Sequence, residues 1–145
     1  MTGAATQTRS VIVEREMPHP PEKIWRALTQ PHLIAEWLME NDFKPELGHQ
    51  FRLRATPQPG WNGIIDCEVL VVEPNRTLSY TWHSGDATLA IKSVVTLSLT
   101  PVAAGTLLRM EQTGFGPDQH RNYQGAKLGW QHFLGRLDQV AARPE

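Results

Sequence analysis

The sequence has 145 residues, a length typical of one domain, and its 14 basic and 15 acidic side chains give a net charge of −1. This balance excludes the strongly basic surface of a nucleic-acid-binding protein. The single cysteine excludes an intramolecular disulfide, and no apolar stretch approaches the ~20 residues of a membrane span.

The first nine residues, MTGAATQTR, are small and polar and lack the apolar run of a signal peptide. We therefore expect residues 1–8 to be a flexible N-terminus and residues 9–142 to form a single domain. We also expect a cytoplasmic protein that does not insert into membranes.

The first predicted strand is SVIVEREM (10–17), because Val11 and Val13 alternate with Ile12 and Glu14 and β-branched residues favour an extended chain. PHPP ends it, and Pro21 is well placed to begin a short helix with Ile24, Trp25 and Leu28 on one face. Pro31 separates this helix from a second short one.

Five further strands follow at short spacings: 50–55, 63–72, 76–84, 89–99 and 107–115. In the second of these, Ile65, Cys67, Val69 and Val71 are predicted to share one face. In the third, Leu78, Tyr80 and Trp82 share a face, and the hydroxyls of Thr77, Ser79 and Thr81 are predicted to face water.

From about Asp118 the apolar period changes from two to 3.6, which predicts a helix of some five turns. Helices at the two ends of the chain, with antiparallel hairpins between them, indicate an α+β fold. The amphipathic C-terminal helix is predicted to cover the apolar face of a sheet of about six strands.

The sequence offers few candidates for metal-binding or catalytic residues. The six histidines show no HxH or HxxxH spacing, so neither a metal nor a cofactor is expected. Cys67 lies beside Asp66 and Glu68, whose charges would raise a thiol pKa, and it is interpreted as a small buried hydrophobe. Asp66, Glu68 and His83 are predicted to be solvated.

Gln112 stands where the alternation of Leu108 and Met110 predicts an apolar residue. Two readings stay open: an amide satisfied by nearby backbone, or a polar handle in an apolar pocket.

Four stretches, in this order, carry a family resemblance: VIVEREMPHPPEKIWRALTQPHLIAEW, NGIIDCEVLVVEPNRTLSYTW, RMEQTGF and GWQHFLGRLDQV. Over residues 9–142 the sequence resembles the activator-of-Hsp90-ATPase-like branch of the START/Bet v 1 (SRPBCC) superfamily. The resemblance implies a helix-grip fold, in which a curved antiparallel sheet wraps around a long C-terminal helix and two short helices follow the first strand.

Many members of this superfamily enclose an apolar cavity between sheet and helix, which implies a non-catalytic protein that holds a small hydrophobic or aromatic ligand. The residues expected at such a cavity are Trp37, Phe51, Leu53, Cys67, Val69, Tyr80, Trp82, Met110, Gln112, Phe115, Tyr123, Ala126, Trp130, Phe133, Leu134 and Leu137. Gly125, Gly129 and Gly135 of the helix are explained either by close packing against the sheet or by room left for a ligand.

Two alternatives remain. One is a co-chaperone-like or regulatory protein-interaction module, with Trp61 in the loop PGWNG as an exposed anchor or as a side chain packed over its turn. The other is a cyclase- or lyase-type enzyme with Tyr80 as an acid, which is disfavoured because the usual tyrosine pKa of ~10 is far from neutral.

Overall fold

The computed structural model describes residues 9–59, 61–84, 91–116 and 120–144. The elements in chain order are β1 (Arg9–Met17), α1 (Pro21–Thr29), α2 (Pro31–Trp37), β2 (Glu40–Asn41), β3 (Gln50–Arg54), β4 (Ile64–Glu73), β5 (Thr77–Ser84), β6 (Ile91–Val102), β7 (Gly105–Phe115) and α3 (His120–Ala141). The predictions for residues 1–8, for Leu89 and for a helix start at Asp118 lie outside the described residues.

The strands form one antiparallel sheet in the order β1-β7-β6-β5-β4-β3-β2. This is the predicted α+β helix-grip architecture, and the two short helices follow the first strand. The sheet has seven strands where the sequence predicted about six, because the two-residue β2 is too short to show any alternation.

Prolines set the boundaries of the two short helices. Pro21 and Pro31 each stand in the first turn of a helix, where the missing N–H has no intrahelical partner. Gln30 is extended and separates the helices. The buried face of α1 consists of Ile24, Ala27 and Leu28, which join the common core.

A β-bulge in β4 changes the predicted faces. Val69 pairs with Tyr80, but the next pair is Val71 with Ser79, so Leu70 is the extra residue and is exposed. Beyond the bulge Val72, which pairs with the buried Leu78, packs against the core, so the inward prediction for Val71 is wrong.

Ser79 also departs from its prediction. It is buried instead of facing water, and its hydroxyl donates to the Val95 carbonyl at 3.1 Å and lies 3.0 Å from the Thr96 hydroxyl. A short side chain between larger neighbours is covered easily, and local hydrogen bonds replace those to water.

The core lies between the concave face of the sheet and the helices. α3 packs along β1 and β7 and against α1 and α2, and its residues Trp130, Leu134, Leu137 and Val140 are buried. His19, after β1, ties the far end of α3 to the sheet, because its Nε2 atom lies 2.7 Å from the Asp138 carboxylate.

Candidate functional site: the aromatic interior

The inner face of the sheet and the facing stripe of α3 bring the predicted cavity residues together. Those that are buried are Trp37, Phe51, Leu53, Cys67, Val69, Tyr80, Trp82, Met110, Gln112, Phe115, Trp130, Leu134 and Leu137. Those that are half-buried and packed against the same core are Tyr123, Ala126 and Phe133. The sequence pattern therefore identified one contiguous set of residues.

Four large rings meet beneath α3. Trp130 lies 6.4 Å from Trp37, 5.4 Å from Trp82 and 5.6 Å from Phe133, measured between ring centroids, and the rings are tilted or edge-on. We call Trp37, Trp82, Trp130 and Phe133 the tryptophan cluster. These geometries are those that aromatic pairs prefer, so the cluster stabilises the contact between helix and sheet.

Gln112 connects this cluster to the sheet by side-chain hydrogen bonds. The Trp130 indole N–H donates to Gln112 Oε1 at 2.8 Å, Gln112 Nε2 donates to the Ser93 hydroxyl at 2.8 Å, and Ser93 donates to the Trp82 carbonyl at 3.0 Å. Gln112 is thus satisfied, but by side chains and not by the backbone as the first reading supposed. The pattern of the sequence could not show this, because Ser93 and Trp130 are distant in the chain.

A second group of rings lies on the β3–β5 side of the interior. Phe43 meets Phe51 edge-on at 5.1 Å and Tyr80 at 6.4 Å, and Phe51 meets Tyr80 at 5.3 Å. We call these three residues the phenyl cluster. Phe43 was missed by the sequence analysis; its one signal was a lone aromatic ring in the polar stretch NDFKPE.

Two titratable groups buried on the inner face of the sheet, Cys67 and Tyr80, are held neutral. Burial, with a smaller contribution from the charge of Asp66, raises the pKa of the Cys67 thiol above its usual range. Burial and the neighbouring Cys67 likewise raise the pKa of Tyr80. The interior therefore disfavours ionised groups.

The aromatic side chains of the core differ in whether their polar atoms have a hydrogen-bond partner. The Trp37 indole donates to the Ala27 carbonyl at 2.9 Å, and Trp130 donates to Gln112. By contrast, the indole nitrogen of the half-buried Trp61 is itself buried and has no hydrogen-bond partner among the described residues.

The cover provided by α3 thins toward its N-terminus. Trp130 and Leu134 are buried, whereas Tyr123 and Ala126, nearer the N-terminus on the same inner stripe, keep accessible surface. Tyr123 is held by an edge-on contact with Phe115 at 6.1 Å and by the Arg9 guanidinium, 4.6 Å from its ring centroid. This end of the helix is where the interior approaches solvent.

The helix glycines are not explained by close packing. A Cβ atom at Gly125 would have no neighbour within 4 Å, and one at Gly129 would meet the Phe133 ring of the same helix at 3.9 Å. At Gly135 the nearest atom is the Arg15 guanidinium, at 4.0 Å. Of the two explanations in the sequence analysis, packing against the sheet is therefore wrong.

Polar residues considered for chemistry lie on the outer face of the sheet. Asp66 and His83 are exposed, and Arg52 donates to Asp66 at 2.8 Å. Trp61 is half-buried and packs against the core, which contradicts its reading as an exposed anchor. Across the described ranges, no three His, Cys, Asp or Glu residues are grouped so as to hold a metal ion.

The family-model comparison identifies the fold family. The model of the Activator of Hsp90 ATPase homolog 1-like proteins matches residues 18–142. The chain belongs to this family. No curated protein matches it, and none of the helices in the described part is long and apolar enough to cross a membrane.

Solved structures of other members of this fold resemble the chain over nearly its whole length. Protein MLL2253 of Mesorhizobium loti is 58% identical, with a TM-score of 0.86 over 94% of this chain and 99% of that one. Protein BH1534 of Bacillus halodurans is 28% identical, with a TM-score of 0.76 over 94% and 99%. DynU16, described as a protein of the dynemicin biosynthetic locus, is 27% identical, with a TM-score of 0.76 over 90% of this chain and 46% of that one.

Proposed function

We propose that this family member is a non-catalytic, cytoplasmic binding protein for a small hydrophobic or aromatic ligand, held between the sheet and α3. The observation that carries the proposal is that the residues on the inner stripe of α3 become less buried toward the N-terminus of the helix. The three indoles of the tryptophan cluster, Trp37, Trp82 and Trp130, are buried beneath the middle of α3, while Tyr123 and Ala126 toward its beginning keep accessible surface. An apolar molecule entering there would meet aromatic rings immediately.

The chemistry of the interior supports binding without catalysis. Cys67 and Tyr80 are buried titratable groups of the interior, and burial keeps both neutral near pH 7. Acid–base catalysis works best with a pKa close to the working pH, which neither group has. DynU16, a relative at 27% identity, belongs to a locus that makes a small molecule, which fits a small-molecule ligand here.

The test combines a ligand screen with a blocking variant. Lipids, flavonoids and aromatic acids would be screened against the wild type by ligand-observed NMR and by the shift in melting temperature. Ala126→Trp places a large ring on the half-buried inner stripe of α3, whereas Leu128→Trp places the same ring at an exposed position on this helix.

We expect at least one apolar ligand to bind the wild type and the Leu128→Trp control, and to bind Ala126→Trp at least about tenfold more weakly, which corresponds to about 1.4 kcal/mol. If no apolar compound binds the wild type, the proposal fails. Equal binding by both variants would place the ligand elsewhere.

The family description favours one second candidate, a module that contacts the chaperone Hsp90. Among the described residues, the large apolar side chains exposed to solvent are Ile12, Leu47, Leu70 and Leu128, which belong to four different segments of the chain. Titration of the labelled protein with Hsp90 would show shifts concentrated around some of these residues if the candidate is right, and none if it is wrong.

A further inference from the structure

Arg15 stands at a position of β1 where the alternation of the strand predicts an apolar residue. Val11, Val13 and Met17 on the same face are buried, whereas Arg15 is exposed at the edge of the sheet, beside α3. Its Nε atom donates to the Asp138 carboxylate at 3.0 Å. This charge-assisted hydrogen bond fixes where the guanidinium group lies.

The guanidinium group of Arg15 lies over Gly135 of α3. Its Nη1 atom is the nearest atom to the point where a Cβ atom of Gly135 would stand, at a distance of 4.0 Å. An alanine at this position would therefore meet no clash, and a glycine inside a helix costs about 1 kcal/mol relative to alanine. Gly135 thus leaves open a space beside Arg15 that packing against the sheet does not require.

This space belongs to an open groove of about 590 Å³ between β1 and α3. The groove is lined by Arg15, Gln131, His132, Gly135, Arg136 and Gln139. The other four helix residues surround Gly135, because residues three and four apart are neighbours on a helix surface. Ligand sites commonly have volumes of about 300–1,000 Å³, so the groove has room for a small molecule.

The groove combines positive charge with hydrogen-bond donors. Arg15 and Arg136 supply two guanidinium groups, His132 supplies an imidazole, and Gln131 and Gln139 supply amides. None of the described residues that line the groove has a carboxylate. Guanidinium groups match the oxygen atoms of phosphate and carboxylate groups, so the ligand that fits this lining is an anion.

The carboxylates beside the groove already have cationic partners. Glu36, whose backbone carbonyl accepts from Arg136 at 3.0 Å, pairs through its carboxylate with Arg143. Asp138 accepts from the Nε atom of Arg15, which leaves the two terminal nitrogens of this guanidinium for a ligand. Both arginines of the lining therefore keep donors that these carboxylates do not use.

We propose that this groove binds the phosphate group of a small, soluble phosphate monoester, with Arg15 and Arg136 holding its oxygens and Gly135 leaving room for it. The site lies on the exposed side of α3 and is independent of the interior site of the proposed function. A phosphate monoester carries about −1.5 to −2 charges at pH 7 and three acceptor oxygens, more than a carboxylate offers to donors from a strand and a helix. Two arginines are fewer than the about 4–8 basic residues typical of binding to a lipid surface.

The choice of anion is tested with methyl phosphate and acetate, neither of which has a ring that would enter the aromatic interior. Their binding to the isotope-labelled wild type would be followed by NMR titration at an ionic strength of about 0.15 M, where exposed charges are screened beyond about 8 Å. We expect saturable shifts of the amide signals around Gly135. Methyl phosphate should bind at least about fivefold more tightly than acetate.

Two pairs of variants locate the site. Gly135→Glu places a carboxylate in the groove and should weaken methyl phosphate binding at least about tenfold. Gly125→Glu makes the same change at an exposed glycine of α3 with open space around it, and should alter the affinity less than about twofold. Arg136→Gln should weaken binding about tenfold, whereas Lys127→Gln removes an exposed charge outside the groove and should alter it less than about twofold. Melting temperatures show whether each variant is folded.

The outcomes decide between a site and general attraction. Weak binding by Gly135→Glu and Arg136→Gln, with both controls binding like the wild type, supports the proposal. It is overturned if the wild type does not bind methyl phosphate, or if acetate binds as tightly. Equal weakening by Lys127→Gln and Arg136→Gln would show diffuse attraction to the helix and would also overturn it. So would binding to vesicles that contain phosphatidic acid without binding of methyl phosphate. None of these results affects the interior site.

Discussion

The indole N–H of Trp130 on α3 donates to Oε1 of Gln112 on β7 at 2.8 Å, and both residues are buried. This bond fastens the middle of the C-terminal helix to the sheet, inside an otherwise apolar interior. Hydrogen bonds in such surroundings are costly to break on one side only.

Replacing Gln112 with Leu should lower the free energy of unfolding by about 1–3 kcal/mol, because the Trp130 N–H loses its acceptor while remaining buried. Urea denaturation measures this loss. Adding Trp130→Phe removes the unpaired N–H, so the double variant should lose less stability than the sum of the single variants. Strict additivity would show that the bond contributes nothing.

Stability should fall at alkaline pH because burial raises the pKa of both Cys67 and Tyr80. In the unfolded chain these groups ionise near about 8.5 and 10, whereas in the folded chain they stay neutral. The stability that they contribute is complete below pH ~8.5 and is lost as the pH rises further, by up to about 1.4 kcal/mol per pH unit for each group.

Urea denaturation between pH 7 and 10.5 measures this slope. Cys67→Ala should flatten it from about pH 8.5, and Tyr80→Phe should flatten it only from about pH 10. If neither variant changes the slope of unfolding free energy against pH, the ionisation of Cys67 and Tyr80 does not cause the loss of stability at alkaline pH.

Gly125→Ala should stabilise the protein by about 0.5–1 kcal/mol. The position is exposed within α3, and a Cβ atom there has no neighbour within 4 Å. The matched change Gly63→Ala should destabilise instead, because Gly63 has a φ of +80° and a Cβ atom would collide with the Ala55 carbonyl oxygen. Thermal denaturation of both variants checks the opposite signs.

Asp138→Asn should lower the free energy of unfolding by about 1–2 kcal/mol, since its carboxylate accepts from Arg15 Nε at 3.0 Å and lies 2.7 Å from the buried His19 ring. The control is Asp66→Asn, which disrupts an exposed pair with Arg52 and should cost less than about 1 kcal/mol. Urea denaturation measures both losses of unfolding free energy. Equal losses would contradict a specific stabilising role for the contact of Asp138 with Arg15 and His19.

Alternation and helical periodicity were sufficient to predict the long strands and all three helices, because burial of one face imposes a period of two or 3.6 on the sequence. They were insufficient at β2, where two residues form no pattern, and at the bulge in β4. There, the extra residue Leu70 exchanged the faces of Val71 and Val72. A bulge depends on how two strands pair, which one strand alone does not specify.

The spacing of apolar residues in the sequence by itself determined the α+β class and most of the buried apolar faces, and the resemblance of four stretches to a known family implied the helix-grip fold. Only the tertiary structure decided how the buried polar groups pair: Gln112 accepts from Trp130 and donates to Ser93. It also decided that Phe43, from a polar loop, fills the space beside Tyr80. Hydrogen bonds and ring contacts act over a few ångströms between residues far apart in the chain, so periodicity along the chain carries no record of them.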